Sequence, residues 1–166
     1  MAKVRIEITG GDNRYMPFRA HEGDAAFDLR ACFTGPKKVE MHLADGCVDH
    51  LQQELVLLRP GSTAIVPAGF KMALEPGYEA QIRPRSGNSI RGLRVANAPG
   101  TIDSGYRGEV CVILYNAGQE PISIRDGDKI AQMVIQRLPD VELEVVEYVS
   151  ENTERGADGF GSTGTV

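Results

Sequence analysis

The chain has no tryptophan, only five tyrosines and five phenylalanines, and no long apolar run. The last of these excludes a membrane-spanning helix, and the first seven residues carry charges where a signal peptide needs an apolar core. Three cysteines, Cys32, Cys47 and Cys111, show no C-x-x-C spacing, and an odd number of them does not make a disulfide framework. A soluble protein of a reducing, intracellular compartment such as the cytoplasm is expected. Positive charge is also in short supply: 18 Lys and Arg stand against 23 Asp and Glu, a formal net of −5, so general affinity for a nucleic-acid backbone is not expected. Any polyanion must therefore be held by local arginines. Long helical periods and internal repeats are missing as well, and 166 residues suffice for one domain with its own core.

What the sequence does contain is many short β-like runs punctuated by Gly and Pro. Residues 3–9 alternate, with Val4, Ile6 and Ile8 on one face. Residues 25–31 are a short run of small and apolar residues, and further β-like runs cover 55–58, 63–66, 70–74, 78–83, 93–96 and 109–115, separated by Pro60-Gly61, Pro67, Pro76-Gly77, Pro84, Gly92 and Gly118. Turn signals about every ten residues predict an all-β jelly-roll-like barrel or sandwich. Residues 128–136 fit either a helix or a buried strand, and 141–149 begin as a late alternating strand. Residues 32–53 read as a surface excursion. Its His42, Asp45, Cys47, Asp49 and His50 match no metal-ligand spacing.

Five segments carry chemistry. In Ala26-Phe27-Asp28-Leu29-Arg30-Ala31 the single acid faces either solvent or a cation. Arg83-Pro84-Arg85-Ser86-Gly87-Asn88-Ser89 offers guanidinium forks, hydroxyls and backbone NH groups, the donors an oxyanion needs, at the end of a strand. Residues 97–108, Asn-Ala-Pro-Gly-Thr-Ile-Asp-Ser-Gly-Tyr-Arg-Gly, place Asp103 and Tyr106 in one expected hairpin. Asp103 there either caps its own turn or faces a small planar ligand read by the hairpin backbone. In Arg125-Asp126-Gly127-Asp128-Lys129-Ile130-Ala131-Gln132 the amide of Gln132 among apolar neighbours must face solvent or hydrogen-bond. The Gly-rich tail, 155–164, formally contains G-x-G-x-x-G, but a dinucleotide site needs a strand before it and a helix after it. The tail is therefore either a disordered terminus or a flexible segment that closes over a phosphorylated ligand stacked on Phe160.

In this order the five segments resemble the trimeric deoxyuridine triphosphatase (dUTPase) family, which hydrolyses dUTP to dUMP and pyrophosphate. The resemblance implies a jelly-roll-like β domain over residues 1–150 and a flexible arm over 151–166 that closes a neighbouring subunit's site. It also implies a homotrimer with three sites between subunits and a Mg²⁺-bound triphosphate. Asp103 would orient and deprotonate the water that attacks the α-phosphorus and hold the 3′-hydroxyl. Tyr106 would pack under the deoxyribose, leaving no room for a 2′-hydroxyl. Asn97 and the hairpin backbone at Gly100 and Ile102 would read uracil. Arg85, Ser86, Gly87 and Gln132 would hold the phosphate chain, and Asp28 would act on Mg²⁺ through water. Arg155, Phe160, Gly161, Ser162 and Thr163 would close from another subunit.

Two positions depart from the family pattern: Asp158 stands where glycine is more frequent, and the 32–53 region is longer than usual. The rival activities are a dCTP deaminase of the same fold, disfavoured by the tail and by residues 101–106, and a non-catalytic nucleotide-binding module, which would bind without turnover.

Overall fold

The computed structural model describes residues 3–34, 39–43, 48–51 (backbone only), 55–150, 152–154 and 156–157. Twelve strands, all paired antiparallel, carry the architecture among these residues. They are β1 (Arg5–Ile8), β2 (Phe27–Arg30), β3 (Val39–His42), β4 (Val48–Leu51), β5 (Leu55–Leu58), β6 (Thr63–Ala73), β7 (Tyr78–Arg83), β8 (Leu93–Val95), β9 (Gly100–Ile102), β10 (Glu109–Asn116), β11 (Ile122–Arg125) and β12 (Lys129–Arg137). One helix, α1 (Ser86–Ile90), and a 3-10 turn at Asn13–Tyr15 complete the described elements. One sheet runs β4-β3-β6-β10-β8 with β1 also on β6, a second β2-β12-β7-β9, and a third pairs β11 with β5. Their inner faces meet in one core, with Val66, Phe70 and Leu114 from the first, Leu29, Ile82 and Met133 from the second, and Val56 and Ile124 from the third. This is the expected all-β, jelly-roll-like fold, and no described helix is long and apolar enough to cross a membrane.

Several expectations change in detail. The two runs at 63–66 and 70–74 are one strand, because Pro67 sits where the β6–β10 register jumps from Cys111↔Pro67 to Glu109↔Lys71. At such a bulge the missing N–H of proline removes no ladder bond. Gly69, at φ +79°, follows within the same irregularity. The 32–53 excursion is not plain loop: it contains β3 and β4, which pair with each other and extend the first sheet through β6. Residues 128–136 resolve to a strand, since β12 finds partners on both edges. Residues 141–149 form no strand, although Val141, Leu143 and Val145 alternate as expected. They are 71%, 92% and 100% exposed, with no partner strand beside them among the described residues.

The turn that launches β12 is pinned from the N-terminal side. Tyr15 is buried, and its ring lies so close to Gly10 and Gly69 that neither position has room for a side chain; a Cβ on Gly69 would come within 2.8 Å of Tyr15 Cγ. Its phenol donates to the Asp126 carboxylate, 2.8 and 2.9 Å from the two oxygens, and Phe33 N–H donates to the same group at 2.7 Å. Burial pushes the phenol up from 10.0 to about 12, and Asp126 adds to the shift. The folded-state value lies above the unfolded one, so this contribution to stability is intact below pH 10 and is lost as pH rises through about 12. Across that window the urea midpoint of the wild-type chain is expected to fall more steeply than that of Tyr15→Phe. Parallel curves would show that the phenol does not carry the effect.

Candidate active site

The second sheet places the phosphate-type residues. Gln132 on β12 is the register partner of Asp28 on β2 and of Arg83 on β7, so these three side chains share one face. Pro84 ends β7, and the chain turns directly into α1. The N-cap of α1 is Arg85, whose side chain makes no capping bond, so the first amide N–H groups of the helix lack an intrahelical or side-chain acceptor. Gly87 has open space where a Cβ would stand. Around these groups lies an open pocket of about 390 Å³, lined by Asp28, Arg85, Ser86, Gly87 and Gln132 together with residues of the 20–26 loop. Gln132 does not face bulk solvent only: its Nε2 donates to Pro84 O at 2.8 Å, leaving its carbonyl end for another partner.

Asp28 is held by two cations. Arg85 Nε and Lys129 Nζ each lie 2.9 Å from its carboxylate, which is 13% exposed. Among the described residues no group of three or more His, Cys, Asp or Glu side chains could hold a metal. A single carboxylate suits only an ion that keeps its waters and takes most of its ligands from a substrate, as Mg²⁺ does with phosphates.

The residues expected to meet a sugar and a base form a second group. Asn97 packs over Gly100, where a Cβ would come within 2.9 Å of its Nδ2, and the Ala98-Pro99 peptide is cis. Ile102 is buried, so only its backbone can serve a ligand. Asp103 is exposed, and its backbone carbonyl closes a turn by accepting from Tyr106 N–H at 3.1 Å. Tyr106, 44% exposed, donates from its hydroxyl to Glu109 O at 2.9 Å, and its ring lies across Gly108 with no room for a Cβ there. Residues 97–108 are not a simple hairpin. β9 pairs with β7 in the second sheet while β10 pairs with β6 and β8 in the first, so the turn bridges two sheets.

Among the described residues, Asp103 and Tyr106 stand apart from the Arg85 pocket. Gly100 pairs with Ile82 and Ile102 with Ala80, so Asp103 continues towards the start of β7, whereas Arg85 lies beyond its end. Six strand residues separate those levels, roughly 20 Å at the usual rise. The 390 Å³ pocket contains neither Asp103 nor Tyr106. Arg155, Phe160, Gly161, Ser162 and Thr163 lie outside the described residues, as does Asp158.

Two contributors were not legible as site residues. Asn88 is buried, donates from Nδ2 to Lys129 O at 2.9 Å and accepts from Arg91 at 2.9 Å, tying α1 to β12. An asparagine so close behind Arg85-Ser86-Gly87 was the only available signal. Lys129 stands in a charged turn that gives no hint of its contact with Asp28.

The family model described as dUTPase matches residues 50–164. The deoxyuridine 5′-triphosphate nucleotidohydrolase of Caulobacter vibrioides is 47% identical over 150 residues, covering 90% of this chain and 85% of that protein. The enzyme of the same name from Clostridium kluyveri is 44% identical over 153 residues, covering 91% of each. Among solved structures, a mutant dUTPase of Staphylococcus bacteriophage 80alpha with dUpNHpp superposes with a TM-score of 0.75 at 25% identity, over 98% of both chains.

The packing of Tyr106 on Gly108 yields a test. Gly108 lies in a half-buried bend before β10, and Gly108→Ala must displace the Tyr106 phenol, the movable end of a side chain that is itself partly exposed, so the change falls on Tyr106 rather than on the core. The variant is expected to melt with the wild type yet to lose nucleoside-triphosphate affinity, measured by calorimetry. Unchanged affinity would remove Tyr106 from the site.

Proposed function

The chain belongs to the dUTPase family, and on that premise we propose that it hydrolyses dUTP to dUMP and pyrophosphate by attack of water at the α-phosphorus, in sites shared between copies of the chain. The observation that carries this reading is the divided site. A phosphate pocket at one end of β7 and a turn bearing Asp103 and Tyr106 at the other are complementary halves, and neither suffices alone. A second copy that presents its 97–108 turn to the first copy's Arg85 pocket completes one site. Repeated by rotation, such a head-to-tail contact closes into a ring, for which we propose a homotrimer with three sites. The exposed apolar residues of 141–149 support the assembly, since they offer an alternating apolar face that no described strand of their own chain covers.

In the completed site the exposed Asp103 carboxylate is the general base, within reach of solvent water and of a sugar hydroxyl. Tyr106, held by Glu109 O, is the floor beneath the deoxyribose, and its fixed ring is what a 2′-hydroxyl would strike. Asn97 and the backbone of Gly100 and Ile102 pair with the base edge, where buried donors left unpaired would penalise other bases. Arg85, Ser86, the Gly87 N–H and Gln132 take the β- and γ-phosphates. Asp28 is placed to meet waters of a Mg²⁺ carried by the triphosphate, and the ion would supply charge neutralisation there. The arm, 151–166, with Arg155, Phe160, Gly161, Ser162 and Thr163, closes over a neighbouring site, the ring on uracil and the polar groups on the γ-phosphate. The sparse cysteines are in keeping with a cytoplasmic or other reducing setting.

Pyrophosphate release measured across dUTP, dCTP, dTTP and UTP, with and without Mg²⁺, tests the activity. Turnover of dUTP alone is expected, and ammonia from dCTP would replace the reading with a deaminase. Asp103→Asn is expected to bind dUTP normally while losing about 10²- to 10⁴-fold in kcat, the usual contribution of a general base. A near wild-type rate would remove Asp103 from that role. Deleting residues 155–166 is expected to leave a folded trimer by light scattering with little activity. A fully active truncation would show that the arm is dispensable.

A further inference from the structure

Strand β12 contains a bulge that has a direct consequence for the phosphate pocket. Lys129 is the register partner of Arg30 and Ala131 that of Leu29, so Ile130 is an extra residue with no partner on β2. Both Ile130 and Ala131 are buried, which strict alternation forbids in a half-buried strand. Without the extra residue Lys129 would share the core-facing side of Ala131 and Met133. With it, Lys129 turns to the face of Arg30 and Asp28, and bulges beside functional sites commonly re-aim a side chain in this way. The result is the 2.9 Å contact of Lys129 Nζ with Asp28 Oδ2, while Arg85 Nε holds Oδ1 at the same distance. The bulge is itself secured, because Asn88 Nδ2 donates to Lys129 O at 2.9 Å and to Ile130 O at 3.3 Å. Lys129 Nζ also lies 4.8 Å from the centre of the Phe18 ring, which fixes the ammonium from the other side.

We propose that Lys129 is a positioning residue for the phosphate clamp: it shares the charge of Asp28 so that Arg85 stays available to the triphosphate. The identity of the triphosphate rests on the dUTP reading above. Arg85 turns its Nε–Nη2 edge to Asp28, so its Nη1 end is the one a phosphate can meet. With Lys129 the trio Asp28, Arg85 and Lys129 carries a formal charge of +1, and an incoming phosphate competes with a carboxylate already satisfied by the ammonium. Without Lys129 the remaining pair is neutral, and Asp28 holds Arg85 as its sole charged partner. The phosphate then meets less positive charge and a guanidinium it must pull from that partner. The cost falls on binding of the β- and γ-phosphates in ground and transition state alike, so it enters KM rather than kcat.

The test compares wild type, Lys129→Met, which keeps the stem, and Lys129→Arg, which keeps the charge. Lys129→Met is expected to raise KM for dUTP and to weaken binding of inorganic tripolyphosphate by about tenfold or more, the usual scale for a charge-assisted contact, with kcat within about threefold. Affinity for dUMP and the melting temperature should stay at wild-type values, and Lys129→Arg should recover most of the loss. Unchanged KM and tripolyphosphate affinity in Lys129→Met would overturn the proposal. So would a parallel fall in dUMP affinity and melting temperature that Lys129→Arg does not rescue, because that pattern belongs to a merely structural lysine. Pyrophosphate release from dUTP by the wild type decides the dUTP reading separately, since tripolyphosphate binding reports on Lys129 whichever nucleotide the enzyme uses.

Discussion

The constraint on which the site depends is the double pairing of β12. Hydrogen-bonded to β2 on one edge and β7 on the other, it fixes Asp28, Gln132 and Arg83 in one row, since opposed residues in antiparallel strands project to the same face. A slip of one residue would turn that row into the core and bring Met133 to the surface. Two devices at its start guard the register. The buried Tyr15 phenol and Phe33 N–H hold Asp126 in the preceding turn, and Asn88 holds the two carbonyls of the bulge. Both devices are buried or half-buried hydrogen bonds to groups that would be costly to leave unpaired, so the turn, the bulge and α1 behave as one unit.

That unit explains why a five-residue helix can sit in a β-sandwich without a cap of its own. Pro84 stops β7, Gln132 takes the Pro84 carbonyl, and Asn88 fastens the helix to β12, so no capping side chain is needed to keep α1 in place. A conventional cap at Arg85 would instead occupy the amide N–H groups that an oxyanion can use.

Much of the fold was legible because short antiparallel strands have a period of two and Gly and Pro mark their ends. Residues 3–9, 55–58, 78–83 and 109–115 all form strands within a residue or two of where alternation places them. The failures have separate physical causes. Pro67 reads as a stop unless the partner strand is known to bulge beside it. Residues 39–42 alternate, with Val39 and Met41 buried, but over only four residues; they form a strand because β6 offers an edge, and 48–51 pair in turn with β3. Residues 141–149 have the alternation but no edge to pair with among the described residues, and pattern alone cannot make a strand. The residues that line the Arg85 pocket are ones the sequence offers as oxyanion donors, whereas the contact of Lys129 with Asp28 was not legible. Its side chain reaches Asp28 only through a one-residue register shift, and such shifts are set by tertiary pairing rather than by local preference.

In the proposed assembly, dividing the site between subunits makes selectivity a property of the complex. On that proposal the pocket of Arg85, Ser86 and Gln132 on its own would engage the phosphates of any triphosphate, since guanidinium, hydroxyl and amide donors suit an oxyanion of any nucleotide. The 97–108 turn on its own is open, with Asp103 exposed and Tyr106 half-exposed, and a carboxylate in water is a weak device for activating a nucleophile. Facing the two halves excludes water from both at once. Hydrogen bonds to the base edge then count for more, because a mismatched base leaves buried groups unpaired, and Asp103 acts beside a phosphorus whose charge is already held by the clamp. On that proposal a lone chain holds the parts of the reaction on one sheet without bringing them to one substrate, and the sheet register that orders the parts would make assembly a condition of turnover.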